Sequence, residues 1–512
     1  MGGAERAGTP VEEARCRIVL GRALACSERV DGAVVELRRA GIELEEVELR
    51  GQPLEPLDAL IGPARCEQLH AAADLARALL DGRVVGNVNS TAQGGGVAEM
   101  LQVLLAYARG AGADARWLIL RGDAEFFAIT KRVHNHLHGS AGDGGPLDGA
   151  ARRHYEEVAA ANADALRKRL RRDDVVLLHD PQTAGLVAPL REAGLVVVWR
   201  CHVGMDEMNG HAGKAWDFLR PYLADVPCIF SRAEYAPEWI DRRRVHVIPP
   251  SVDPFSPKNQ DLPPERVRSI LSTAGLLADG TAAPPPEFTR RDGSVGRVGR
   301  TAEVVRATGA LAPDVPLVVQ VSRWDRLKDM LGVMEGFAAH VHHETATLAL
   351  VGPDVLGVTD DPEGREVLEE CVAAWRKLPP GRRARIQLVT LPMDDVEENA
   401  AIVNALQRHA TIVVQKSLAE GFGLTVAEAM WKGRPVVAGA VGGIRDQIVD
   451  GENGVLLASP RDLVAFGAAL DRLLDDPVAA GRLGEQARAR VLERFLPDRH
   501  LIQYVELFRQ LL

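Results

Sequence analysis

A chain of 512 residues, 46% apolar and 26% charged, has the composition of a folded protein; this excludes a disordered or collagen-like chain and asks for two or three domains. Its net charge of −10 provides no global basic field, which argues against nucleic acid as the main partner but leaves room for local basic pockets. The six cysteines, Cys16, Cys26, Cys66, Cys201, Cys228 and Cys371, show no CxxC spacing, so a reducing cytoplasm is expected rather than a disulfide framework or a zinc site. Met1 to Glu13 lacks the apolar core of a signal segment, and no apolar run has the length of a membrane span, so no membrane association is expected.

In chain order, the first stretch is weakly patterned, and Gly32–Leu49 suggests strands with a short helix. From Arg83 the pattern clears. Arg83–Ser90, Ala115–Arg121, Asp174–His179, Leu195–His202, Val226–Ser231 and Val245–Ile248 read as buried strands. Helical stretches are expected at Val97–Arg109, Ala150–Arg171, Pro181–Ala193 and Ala212–Leu223. Pro249–Pro264 reads as a connection, Glu265–Leu277 as a helix, and Ala278–Pro313 as an irregular insertion. Further strands follow at Leu317–Ser322, Thr347–Gly352, Arg385–Thr390, Thr411–Gln415, Pro435–Ala438 and Gly454–Leu457. Helices are expected between them at Lys328–Val341, Arg365–Lys377, Val396–His409, Leu424–Lys432 and Arg445–Val449, with three more from Pro460 to Leu512. Continuous apolar strands alternating with helices mean parallel sheets covered on both faces. The fold class is therefore α/β, with two doubly wound Rossmann-like domains facing across a cleft. Their expected limits are 1–250 and 313–495, with a linker and insertion over 251–312 and a C-terminal helix over 496–512 that packs back on the first domain.

Ligands of such sheets bind beyond the carboxyl ends of the strands. Glu420-Gly-Phe-Gly-Leu-Thr-Val-Ala-Glu428 follows one strand. Gly421 and Gly423 permit close backbone approach, and the helix opening at Leu424 offers free N–H groups to a diphosphate. Glu428 sits among Val426, Ala427, Ala429 and Met430, a poor face for a merely solvated acid. An acid there suits the binding of hydroxyls. Arg323 and Lys328 bracket the end of another strand, where two cations can clamp a phosphate pair; a surface pair of cations is the plain alternative. His134, His136 and His138 invite a metal reading, but no carboxylate or cysteine cluster accompanies them. Asp360-Asp361-Pro-Glu-Gly reads as a turn before a helix.

These motifs resemble those of the retaining glycosyltransferases of the GT-B fold, family 4, with their paired glutamates and phosphate clamp. Gly439–Ile444 (GAVGGI) and Asp450–Val455 (DGENGV) are similar to the segments that usually follow. In the first half, Val88–Glu99 (VNSTAQGGGVAE), Thr130–Asn135 (TKRVHN), His179–Thr183 (HDPQT), Trp199–His202 (WRCH) and Phe288–Arg290 (FTR) look like those of the trehalose glycosyltransferring synthases. Glu99 departs from a plain GxGxxG, which weakens a simple dinucleotide-fold reading. The resemblance covers roughly residues 83 to 460.

The resemblance implies transfer of glucose from a nucleoside diphosphate glucose to free glucose, giving α,α-trehalose reversibly. It implies Arg323, Lys328, Glu420 and His202 as catalytic residues: the two cations on the diphosphate, Glu420 on the transferred hexose and His202 beside it. It places Gly94, Gly95, Leu391, Gly421, Phe422, Gly423, Leu424 and Glu428 around the donor, with Glu428 on the ribose hydroxyls and Leu391 in the loop near the base. Asn89, Lys131, Asn135, Asp206 and Glu207 would contact the acceptor. It implies no covalent cofactor, no required metal and a homodimer. Two rivals share the fold: a trehalose phosphorylase using inorganic phosphate, and a non-catalytic nucleotide-sugar sensor.

Overall fold

A computed structural model describes residues 43–92, 95–278, 284–355 and 362–512. The expectations for Met1–Glu13, Gly94 and the Asp360-Asp361 turn fall outside these residues, as does most of Gly32–Leu49. The first sheet contains β1 (Glu45–Val47), β2 (Val84–Asn89), β3 (Asp114–Ile119), β4 (Val175–His179), β5 (Val196–Cys201), β6 (Cys228–Phe230) and β7 (Val245–Val247), in the order β1-β3-β2-β4-β5-β6-β7. Its strands pair in parallel except β1, which runs antiparallel to β3. A hairpin of β8 (Glu287–Thr289) and β9 (Val295–Arg297) follows. The second sheet contains β10 (Glu303–Val305), β11 (Leu317–Val321), β12 (Thr347–Pro353), β13 (Ile386–Leu391), β14 (Ile412–Gln415), β15 (Val436–Gly439) and β16 (Val455–Leu457), in the order β10-β13-β12-β11-β14-β15-β16.

The central strands are buried along their whole length because helices cover both faces of a parallel sheet. This is why β2, β4 and β11 are buried at every position rather than at alternate ones. In each sheet the chain leaves one central strand in both directions. The winding reverses between β2 and β4 in the first sheet and between β11 and β14 in the second. Crevices open at such switch points, so the segments after Asn89, His179, Val321 and Gln415 are the places to look for chemistry.

Two readings of the sequence need correction. The stretch Ala278–Pro313 is not merely irregular. It supplies the β8–β9 hairpin, and β10 within it adds an antiparallel edge to β13, with Val304 opposite Val389. The early part of the chain holds two helices, Glu55–Ile61 and Pro63–Leu79, that the periodicity did not reveal. The second is rich in alanine, so its buried stripe of Leu69, Ala73 and Ala76 contrasts little with the rest of the helix. Against that stripe lies the C-terminal helix Pro497–Leu511. The contact is clamped by Arg65, which reaches Asp498 at 2.6 Å, and by Arg200, which bonds Tyr504 and, at 3.2 Å, His500. The last helix thus ties the end of the chain to the first sheet.

Candidate active site

Lys328 and Glu420 meet across the switch point of the second sheet. Lys328 ends a short 3-10 turn, Arg326–Lys328, in the segment that follows β11. Its ammonium Nζ lies 2.6 Å from Glu420 Oε1. Ser417 Oγ at 2.8 Å and Gln415 Nε2 at 3.2 Å donate to that same oxygen. Glu420 is 7% exposed, so three donors hold one of its oxygens in place with little water nearby. Arg323 lies at the rim, with half of its side chain exposed and Asp325 3.1 Å away.

The loop after Glu420 is shaped by its glycines. Gly423 adopts φ 85°, a left-handed conformation that lets helix Leu424–Trp431 begin abruptly. Gly421 is required by its surroundings rather than its dihedrals: an added Cβ would sit 2.5 Å from the carbonyl oxygen of His202, beyond the first sheet. Tyr235 donates to the carbonyls of Glu420 and Gly421 at 2.9 and 2.7 Å, again from the first half of the chain. Phe422 packs edge-on against Phe495, and Leu424 lies under Gly96, one residue into the helix opened by Gly95. The starts of these two helices therefore face each other.

Glu428 occupies a buried pocket between the two halves. Its Oε1 lies 3.3 Å from Lys258 Nζ, which also reaches Glu99 at 3.1 Å. Its other oxygen, Oε2, is buried without a hydrogen-bond partner. Burial raises the Glu428 carboxyl above its ordinary range, opposed by Lys258 and Lys432, while the two acids draw the Lys258 ammonium up. Lys258 and Glu99 were not expected here. Lys258 sits in the proline-rich connection, and Glu99 stands where a glycine motif would place a glycine.

On the facing side, His202 lies beyond β5, its amide held by the Asp180 carboxylate at 2.8 Å and its ring stacked on His179. Asp180 has φ 66° and ψ 177°, a backbone conformation that few non-glycine residues adopt and that recurs at functional sites. Burial lifts Asp180 to about 7, partly offset by the His202 amide and Arg200. A carboxyl raised in the fold loses its contribution to stability as the pH climbs from its unfolded value near 4 through about 7. Asp180→Asn cannot ionise. Its stability should nearly match the wild type at pH 4 and exceed it at pH 8 by about 4 kcal/mol. Chemical denaturation at both values checks this, and an equal difference at the two pH values would refute it.

Helix Ala124–Leu137 divides the three histidines. His134 and His138 meet edge-on at 5.1 Å, while His136 turns away to His211 at 5.2 Å. Burial, with Lys328 close by, pushes His138 down to about 4, and Arg323 is among the charges that depress His134. This pair therefore faces the clamp in its neutral form. Among the described residues no three metal-binding side chains come together.

The other residues named from the sequence are placed as follows. Asn89 accepts from the Trp117 indole at 2.7 Å and donates to the Thr91 carbonyl, so it shapes its own loop. Asp206 accepts from Arg232 at 2.5 Å and from the Gly442 amide at 3.2 Å, bridging the two halves. Leu391 is buried in the core at the end of β13, and its carbonyl accepts from the Asp354 amide. Lys131 and Glu207 are exposed, and Asn135 is half-buried beside Gly142. Sequence spacing reports strand ends but not which side-chain atoms the fold has already paired.

Comparison with solved structures identifies the architecture. The structure described as trehalose-6-phosphate from E. coli bound with UDP-2-fluoro glucose covers 83% of this chain and 99% of its own, with a TM-score of 0.62 at 14% identity. A sucrose-phosphate synthase from Thermosynechococcus elongatus gives 0.57 at 19% identity over 84% of this chain and 99% of its own. These establish the GT-B fold. Residues 396–490 match the glycosyl transferases group 1, so the chain is a glycosyltransferase. Residues 87–237 match the family described as trehalose synthase, N-terminal domain. The trehalose synthase of Pyrococcus horikoshii is 32% identical over 92% of this chain and 99% of its own length, and that of Rubrobacter xylanophilus 34% over 86% and 93%. The chain belongs to the trehalose synthase family. A trehalose phosphorylase of Pleurotus pulmonarius is more distant, at 25% identity over 82% of this chain and 56% of the phosphorylase.

Proposed function

We propose that this protein is a retaining hexosyltransferase that interconverts nucleoside diphosphate glucose plus glucose with α,α-trehalose plus nucleoside diphosphate. The observation that carries the reading is the Lys328–Glu420 pair, set at a glycine loop that abuts the His202 carbonyl. A cation and an acid fixed side by side suit a donor whose phosphate and hexose are neighbours. Lys328 and Arg323 would supply positive field where the leaving diphosphate develops charge, and the open end of helix Leu424–Trp431 would add to it. Glu420, its Oε1 already anchored, would turn Oε2 to the hexose. The leaving phosphate oxygen would take the proton of the attacking glucose hydroxyl on the same face, which preserves the anomeric configuration.

Glu428 favours a nucleotide over inorganic phosphate. Its Oε2 is buried without a partner, and a ribose hydroxyl would give it one. Inorganic phosphate has no ribose and leaves that oxygen unsatisfied. Supplied with trehalose and each of several nucleoside diphosphates, the protein should release glucose and form an α-linked nucleotide sugar, observable by anomeric NMR. Glucose 1-phosphate formed from trehalose and phosphate alone would transfer the assignment to a phosphorylase. A β-linked nucleotide sugar would overturn retention.

A further inference from the structure

His202 does not stand alone at the end of β5. Its ring Nε2 lies 3.0 Å from Nδ1 of His179, and the Nε2 of His179 lies 3.1 Å from Oδ1 of Asn87. The two imidazoles are stacked at 18° with centroids 5.3 Å apart. His179 and Asn87 are both 1% exposed. Burial depresses both histidines, His179 to about 3, so each ring is neutral and carries one proton. A line of two neutral imidazoles can be protonated in only two self-consistent ways, and the group at its far end selects between them.

That group is the Asn87 amide on β2. Its Oδ1 faces His179, and its Nδ2 faces the Val85 carbonyl at 3.5 Å. A flipped amide would set two buried carbonyl oxygens against each other, so the orientation is fixed by repulsion as much as by the bond. With Oδ1 toward His179, the His179 proton must be on Nε2. His179 Nδ1 is then a lone pair, and His202 must place its own proton on Nε2 to meet it. The Nδ1 of His202 is left as a lone pair with no partner among the described residues.

We propose that Asn87 and His179 are positioning residues that lock His202 in the Nε2–H tautomer, so that its Nδ1 accepts a hydrogen bond from a hydroxyl of the transferred hexose. This rests on the reading of His202 as a hexose contact. It specifies the direction of the bond: the sugar must donate. A hexose whose hydroxyl at this position is replaced by fluorine cannot donate, and presents a lone pair to a lone pair.

The tautomer can be read without any assay of activity, from two-bond 15N–1H correlations of histidine-labelled protein. In the wild type, His179 and His202 should both show a protonated Nε2 and a bare Nδ1 at neutral pH. Asn87→Leu removes the selecting acceptor and should yield a mixture of tautomers at His202, with turnover lowered about tenfold and the fold unchanged by circular dichroism. His179→Asn, whose side-chain oxygen replaces the accepting Nδ1, should preserve the His202 tautomer and most of the turnover. A protonated Nδ1 at His202 in the wild type would overturn the proposal. So would full turnover in Asn87→Leu once its tautomers are mixed. If the tautomers are as stated but trehalose and nucleoside diphosphates do not react, the lock stands and the proposed reaction falls.

Discussion

Lys328→Ala is expected to lower turnover by about 10²- to 10³-fold, the cost of losing one preorganised charge donor at a developing negative charge. The preorganisation is visible in how the turn is pinned. The Lys328 carbonyl accepts from Gln320 Nε2 at 2.7 Å, and the Leu327 carbonyl from the Leu418 amide at 2.7 Å. The next residue, Asp329, is left-handed at φ 52° and is bonded through its carboxylate by the fully buried Lys416. The ammonium therefore has little freedom to lose on binding substrate. Its removal also leaves Glu420 Oε1 with only Ser417 and Gln415, so the acid that faces the hexose loses its anchor as well. Stability should also fall, by about 1–3 kcal/mol, because the buried Glu420 carboxylate loses one of its donors. Steady-state kinetics with a denaturation curve separate the two effects, and turnover within threefold of wild type would remove Lys328 from the reaction.

Gly421→Ala should cost about 10²-fold or more in turnover for a different reason. The new methyl would lie 2.5 Å from the His202 carbonyl oxygen, well inside van der Waals contact with a rigid backbone atom. Neither partner yields easily. Tyr235 holds the carbonyls of Glu420 and Gly421, and Asp180 holds the His202 amide. The displacement therefore falls on the approach of the two sheets, and a misplacement of about 1 Å at the reacting centre suffices for such a loss. Glu428 and its pocket lie further along the helix, so nucleoside diphosphate binding should persist in calorimetry. Equal losses of binding and turnover would show that the loop itself, rather than its distance from His202, had collapsed.

Much of the scaffold was legible because its signal is local. The strands from Val84 to Leu457 are short, mainly apolar runs whose burial depends on neighbours on both faces, and helix Val396–His409 has the bounds its periodicity predicts. The Glu420–Glu428 loop was legible because glycines next to a strand end carry a conformational meaning of their own. The Ala-rich helix Pro63–Leu79 and the β10 edge were not. Alanine gives weak hydrophobic contrast, and three residues of strand acquire meaning only beside β13.

By itself the sequence determined the alternation of strands and helices, the two glycine-bearing loops and the acids and cations at the strand ends. Backbone propensity and apolar periodicity are written within a few residues of each position. Only the tertiary structure decided how those groups are paired. Lys258 joins Glu99 to Glu428, Asp206 is taken by Arg232 and Gly442, and His202 is linked through His179 to Asn87. Each of these contacts crosses many intervening residues, and some join the two halves of the chain. A buried polar atom is defined by the partner that satisfies it, and that partner is chosen when the two sheets close on each other.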